Sequence, residues 1–195
     1  KSPGRDPDTT RRMMRDRPDV LHRLLAKLAE STAAYLSYQI DCGVEAVQLF
    51  ESAADLLSPE AYRTFALPYQ REVFERIGDR VPRILFAREF ADLEAMVASG
   101  ADCLSVGTCV DLREARDRFG NRVALQGNVN NRLLLDGPGE RIEEAVRACI
   151  EATGGYGHIL NLNHGLLPET PPEHVSRFIE AARRVSVADR QPVGG

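Results

Sequence analysis

The sequence predicts an α/β fold on a parallel sheet, either a doubly wound open sheet or a (β/α)8 TIM-type barrel with about five of its eight strand–helix units present in this chain. Three observations carry that expectation. Five short apolar runs recur along the 195 residues, each followed by a stretch with helical spacing. Nearly all the runs are continuous rather than alternating, as strands buried on both faces of a parallel sheet are. No GxGxxG or GxxxxGK[ST] follows any run, so an open nucleotide-binding sheet gains no support. A complete barrel usually takes about 250 residues, so five strands in 195 residues would make an incomplete one.

Residues 1–17 mix Pro, Gly, Asp and Arg without an apolar period, and are expected to form a loop or frayed end. Arg11, Arg12, Arg15 and Arg17 make a basic run there, expected to be solvated unless it meets an acidic ligand or partner. From Pro18 the spacing changes. Leu21, Leu24, Leu25, Leu28, Ala29 and Thr32 recur at helical steps, Pro18 and Asp19 suit a first turn, and Gly43 stops the helix after Cys42. A strand is expected over 44–50. Ser58-Pro59-Glu60 then opens a helix, with Ser58 as cap and Pro59 at the first helical position. The remaining strands are placed at 83–87, 103–106, 123–127 and 158–162, as parallel neighbours. Helices follow them at about 91–98, 111–119, 140–153 and 172–185, and 186–195 reads as a tail.

The composition narrows the class of function. With 25 basic and 29 acidic residues the net charge is −4, which argues against a large nucleic-acid footprint. No apolar run approaches the roughly 18 residues of a membrane span, and the first residues carry no signal-peptide core. Cys42, Cys103, Cys109 and Cys149 do not make a disulfide framework, so a reduced cytoplasmic setting is expected. Cys103 and Cys109, with five residues between them and no nearby His, read as two buried thiols rather than a metal site.

In either parallel architecture the ligand sits at the carboxyl ends of the strands. The residues there are Phe50-Glu51-Ser52, Ala87-Arg88-Glu89, Gly107-Thr108-Cys109, Gly127-Asn128 and Asn163-His164-Gly165. His164, on a Gly-flanked turn after a buried strand, is suited to meet an anionic ligand; the alternative is that it caps a loop carbonyl. Ser52 offers a hydroxyl at the matching place on another strand, or bonds within its own turn. Gln126-Gly127-Asn128 either approaches a ligand or turns the chain. His22, His158 and His174 read as structural.

Several of these segments together resemble the uroporphyrinogen decarboxylase family. Val47-Gln48-Leu49-Phe50-Glu51-Ser52, Leu57-Ser58-Pro59-Glu60 and Phe65-Ala66-Leu67-Pro68-Tyr69 resemble its central segment. Val123-Ala124-Leu125-Gln126-Gly127-Asn128 matches its fourth motif. Gly157-His158-Ile159-Leu160-Asn161-Leu162-Asn163-His164-Gly165, with Leu167-Pro168-Glu169-Thr170-Pro171, matches its C-terminal signature. The resemblance covers about residues 18–185. It implies the C-terminal part of one (β/α)8 barrel, usually homodimeric and cytoplasmic. The implied reaction is decarboxylation of uroporphyrinogen III to coproporphyrinogen III in porphyrin and heme biosynthesis, without metal or organic cofactor. It implies that Ser52 and His164 hydrogen-bond carboxylate groups of the tetrapyrrole substrate and that Phe50 lines the macrocycle pocket.

The match begins partway into the family pattern. The segments with the family's arginine cluster, its pyrrole-binding aspartate and a substrate-binding tyrosine have no counterpart here. The chain is therefore expected to be a C-terminal portion, inactive alone. Three places depart from the pattern: Gly107-Thr108-Cys109 stands for Asp-Trp-Thr, Val129-Asn130-Asn131 for Leu-Asp-Pro, and Asn163 for the Gly before His-Gly. Two other readings stay open: a barrel relative with a different reaction, such as a methyltransferase, and a non-catalytic half-barrel binding protein. No Cys follows Asn163-His164-Gly165 at a ligand spacing, which disfavours the zinc-dependent form of the first.

Overall fold

The computed structural model describes residues 7–120 and 122–188. Two helices lead, α1 (Pro7–Asp16) and α2 (Pro18–Asp41). Then come strand β1 (Val47–Glu51), a single 3₁₀ turn (Ala54–Leu56), and helices α3 (Pro59–Phe65) and α4 (Leu67–Ile77). The alternation continues with β2 (Arg83–Ala87), α5 (Leu93–Val97), β3 (Cys103–Ser105), α6 (Leu112–Phe119) and β4 (Ala124–Gln126). The chain ends with α7 (Asn131–Asp136), α8 (Gly139–Ala152), β5 (His158–Ile159) and α9 (Pro172–Ala188). The five strands form one sheet in the order β1-β2-β3-β4-β5, and every pair is parallel, as expected.

The two faces of the sheet differ because strand side chains alternate. Leu49, Leu85, Leu104 and Leu125 are register partners across four strands. The last three are fully buried, in a core with Tyr62, Phe74, Ile77, Met96 and Phe119 from α3 to α6. The opposite face carries the row Phe50, Phe86, Ser105, Gln126 and Ile159. Polar contacts hold its middle: the Gln126 amide donates to Ser105 Oγ at 2.9 Å and to Gln48 Oε1 at 3.4 Å. Its two ends are open, with Phe50 63% and Ile159 45% exposed. A second, smaller core joins Val129, Leu134 and Ile142 with Leu160, Leu162 and Phe178.

Several expectations need correction. Residues 7–16 are a helix, not a loop. Pro7 opens it, Asp8 complements the dipole and pairs with Arg11 at 3.1 Å, and Pro18 forces its end by disfavouring helical geometry before it. None of its residues is buried, which is why no apolar period announced it. Residues 186–188 continue α9; the rest of the expected tail lies outside the described residues. The buried stripe of α2 is Leu21, Ala29, Ala33 and Leu36, while Leu24 and Leu28 are exposed. The strand expected from Val44 starts at Val47, because Val44 N–H still bonds back to Gln39 at the end of α2. The helix opened by Ser58 is capped as expected, the Oγ accepting from Ala61 N–H at 3.1 Å. It breaks in two at Ala66, just before Pro68, whose ring would clash within a continuous helix. The strand expected over 158–162 pairs only at His158 and Ile159; Leu162 then bridges to Val129 alone.

Candidate active site at the carboxyl ends of the strands

A cleft of about 700 Å³ opens at the carboxyl end of β1. Ser52 and His164 both line it, so the first and last strands bring these two candidates to one cavity. Phe50 is not part of the lining. It stands on the adjoining sheet face, its ring 5.6 Å from Phe86, whose ring in turn meets His164 edge-on at 5.9 Å. Helix α1 supplies Thr10, Arg11 and Met14 to the opposite wall, and Leu21, Leu25, Leu56, Leu57 and Phe65 make much of the rest apolar. An apolar cavity with a few convergent polar groups is the usual form of a small-molecule site.

Two charged residues in the lining were not singled out from the sequence beyond their place after a strand. Arg88 lies against Asp55, its Nη2 donating to both carboxylate oxygens at 2.7 Å. Glu51 is drawn inward, toward Gln70, whose amide donates to it at 3.5 Å and whose Oε1 accepts from the Tyr62 hydroxyl at 2.8 Å. Burial pushes the Glu51 carboxyl above its ordinary value, against the smaller pull of the Gln70 amide and the Ala53 N–H.

Glu89 is the opposite case. Burial alone would raise it. The Asn163 amide, the N–H groups of Thr108 and Cys109 and the Thr108 hydroxyl together outweigh that and hold it below its usual range. The other rim residues are structural. Asn128 donates to the carbonyls of Gly107 and Val110 at 2.9 and 2.8 Å, tying two loops. Gly127 has a φ of +126°, and a Cβ there would stand 2.8 Å from the Val106 oxygen, so this glycine turns the chain under a close approach. His22 bonds the Tyr69 hydroxyl at 2.7 Å, and His158 and His174 donate to the carbonyls of Gly127 and Leu134 at 2.6 and 2.9 Å.

The thiol expectation is half right. Cys103 is buried, but Cys109 is exposed at the rim. Partial burial and the Glu89 charge push the Cys109 thiol up to about 11. Among the described residues, no group of three or more His, Cys, Asp or Glu side chains is placed to hold a metal ion.

The sequence profile of the family Uroporphyrinogen decarboxylase (URO-D) matches residues 2–185. The chain belongs to the uroporphyrinogen decarboxylase family. Uroporphyrinogen decarboxylase of Nostoc punctiforme is 44% identical over 175 residues, covering 88% of this chain and 49% of that protein. That of Idiomarina loihiensis is 43% identical over 178 residues, covering 88% and 49%. The chain thus spans about half the length of the curated relatives it matches. A solved methyltransferase from Methanosarcina mazei superposes with a TM-score of 0.80 at 22% identity, over 92% of this chain and 53% of that one. At that identity the likeness concerns the fold: five parallel strand–helix units of a barrel of the uroporphyrinogen decarboxylase type. No helix among the described residues is long and apolar enough to cross a membrane.

The Glu51 carboxyl gives this half-barrel a testable pH dependence. A raised folded value means that its contribution to stability is complete below the ordinary 4.5 and is lost as pH rises through the folded value. Glu51→Gln cannot ionise and keeps the shape. Its melting temperature is expected to exceed the parent's at pH 8, with the gap closing toward pH 4. A gap of equal size at both pH values, by differential scanning fluorimetry, contradicts a carboxyl raised by burial.

Proposed function

We propose that this chain forms the C-terminal half of the catalytic barrel of a uroporphyrinogen decarboxylase, acting on the tetrapyrrole in the cytoplasm as part of a homodimer. The single observation that supports this most is the meeting of Ser52 and His164 at one cleft, in a chain 44% identical to a decarboxylase of that name.

In the proposed reaction the ring carbon bearing an acetate takes up a proton. The bond between the acetate methylene and its carboxylate carbon then breaks, CO₂ leaves, and the electron pair flows into the protonated pyrrole. Protonation of the methylene and loss of the ring proton leave a methyl group. Each carboxyl lost therefore consumes one proton. The pyrrole is its own electron sink, so the protein's part is to hold a polyanion, deliver protons and exclude water. His164 and Ser52 serve as hydrogen-bond donors to substrate carboxylates, Arg88 adds a cation to the same wall, and the apolar lining excludes water. Phe50, exposed and backed by the buried Phe86, offers its ring to the macrocycle from the adjoining face.

The assay compares this chain alone with a fusion that places it behind the first half of the Nostoc punctiforme relative. The fusion, shown folded by a cooperative melt, is expected to convert uroporphyrinogen to coproporphyrinogen, and the chain alone is expected to be inactive. A folded fusion without turnover overturns the reading. Turnover by the chain alone overturns the requirement for the first half.

A further inference from the structure

Glu89 sits two residues beyond β2 and belongs to none of the groups assigned above to the substrate. Its backbone is left-handed, with a φ of +43°, a conformation that a non-glycine residue holds only when its surroundings fix it. What fixes it is the carboxylate. Oε1 accepts from Thr108 N–H at 3.1 Å and from the Asn163 side-chain amide at 2.9 Å. Oε2 accepts from the Thr108 hydroxyl at 3.1 Å and from Cys109 N–H at 3.0 Å. Gly107 makes the room: a Cβ there would lie 2.6–2.7 Å from all three carboxyl atoms.

The network continues to the residues on both sides of His164. Asn163 Oδ1 accepts from Asn131 N–H at 2.8 Å, and the Asn131 side chain donates to the Gly165 carbonyl at 2.8 Å. Residues 163 and 165 are thus both tied, and the imidazole between them meets Phe86 of β2. One strand therefore delivers Phe86 against the ring and Glu89 against its loop. The three places where the sequence departs from the family pattern all contribute to this network: Gly107-Thr108-Cys109, Asn131 and Asn163.

We infer that Glu89 is a positioning residue for His164, its carboxylate fixing the loop after β5 against the loop after β3. This rests on the reading of His164 as a substrate-binding group, but its first test does not. The imidazole resonances of His164, assigned with a His164→Gln control, report loop position by NMR in the chain as described. Glu89→Gln, Asn163→Ala and Gly107→Ala are each expected to move those resonances and to weaken binding of uroporphyrin, the air-stable oxidised macrocycle, about tenfold. Glu89→Gln and Asn163→Ala both weaken the Glu89–Asn163 bond, so the losses of the double variant are expected to be less than the sum of the two single ones. Thr108→Val removes one donor to Glu89 without touching Asn163; it is expected to lower the melting temperature slightly and leave the His164 resonances in place.

If Glu89→Gln melts earlier yet keeps the parent's His164 resonances, Glu89 is a loop staple only and the inference fails. If neither the parent nor the fusion binds uroporphyrin, the proposed function fails, and the His164 resonances alone decide the role of Glu89. Shifted resonances then uphold it and unshifted ones refute it.

Discussion

Replacing His164 by alanine in the fusion enzyme is expected to lower kcat/KM for uroporphyrinogen about ten- to hundredfold, with the melting temperature nearly unchanged. A hydrogen bond to a carboxylate is worth about 1.5–3 kcal/mol, and each 1.36 kcal/mol is about tenfold in rate. The small effect on stability follows from the structure: His164 is exposed, and its described ring contact is the edge-on meeting with Phe86. Its loop is held by its neighbours Asn163 and Gly165 instead. Ser52→Ala is expected to show a smaller loss of the same kind. Unchanged kinetics together with an earlier melt would remove His164 from the site.

The largest effect on stability is expected on the other face of the sheet. Leu104 is fully buried at the centre of β3, between its register partners Leu85 and Leu125, which are also fully buried. Leu104→Ala removes a side chain from a packed layer that relaxes only in part, at a cost of about 2–5 kcal/mol. For a domain of this size each kcal/mol lowers the melting temperature by about 2–4 °C. Phe50→Ala, on the open face, is expected to change stability by about 0.5 kcal/mol or less, since Phe50 is 63% exposed. Urea denaturation of both variants checks the pair. Equal losses would mean that the two faces are not divided as described.

The same division explains what the sequence revealed. Strands packed under helices are mostly apolar, so the sequence places β1 to β4 to within three residues, and their parallel order follows from the helix between each pair. The run 158–162 misled for a physical reason. Leu160 and Leu162 are apolar because they pack in the small core with Val129 and Leu134, not because they continue a ladder. Helix α1 was invisible to periodicity because it buries nothing, yet it carries Arg11 and Met14 to the cleft. Helix α7 was missed because six residues are too few for a period; the Asn130 side chain, accepting from Arg132 N–H at 2.9 Å, was its one signal.

The candidate site shows the same pattern. Ser52 and His164 stood out because each follows a buried strand. Glu51 and Arg88 occupy equally placed positions, but what sets their character is the surroundings: burial for Glu51, Asp55 for Arg88. Glu89 was the least readable of all. Its partners come from segments 19 to 74 residues away, and no local pattern points to them.

The most direct test is to map where the tetrapyrrole touches the chain. Uroporphyrin titrated into isotope-labelled protein is expected to give saturable NMR shifts at Ser52, Arg88 and His164, which line the cleft at the carboxyl ends of the strands. Arg83 and Asp102, paired at 2.8 Å at the amino ends of β2 and β3, are expected to stay unmoved. Shifts centred on Arg83 and Asp102, or saturable binding that leaves Ser52 and His164 unmoved, would contradict the assignment of this cleft.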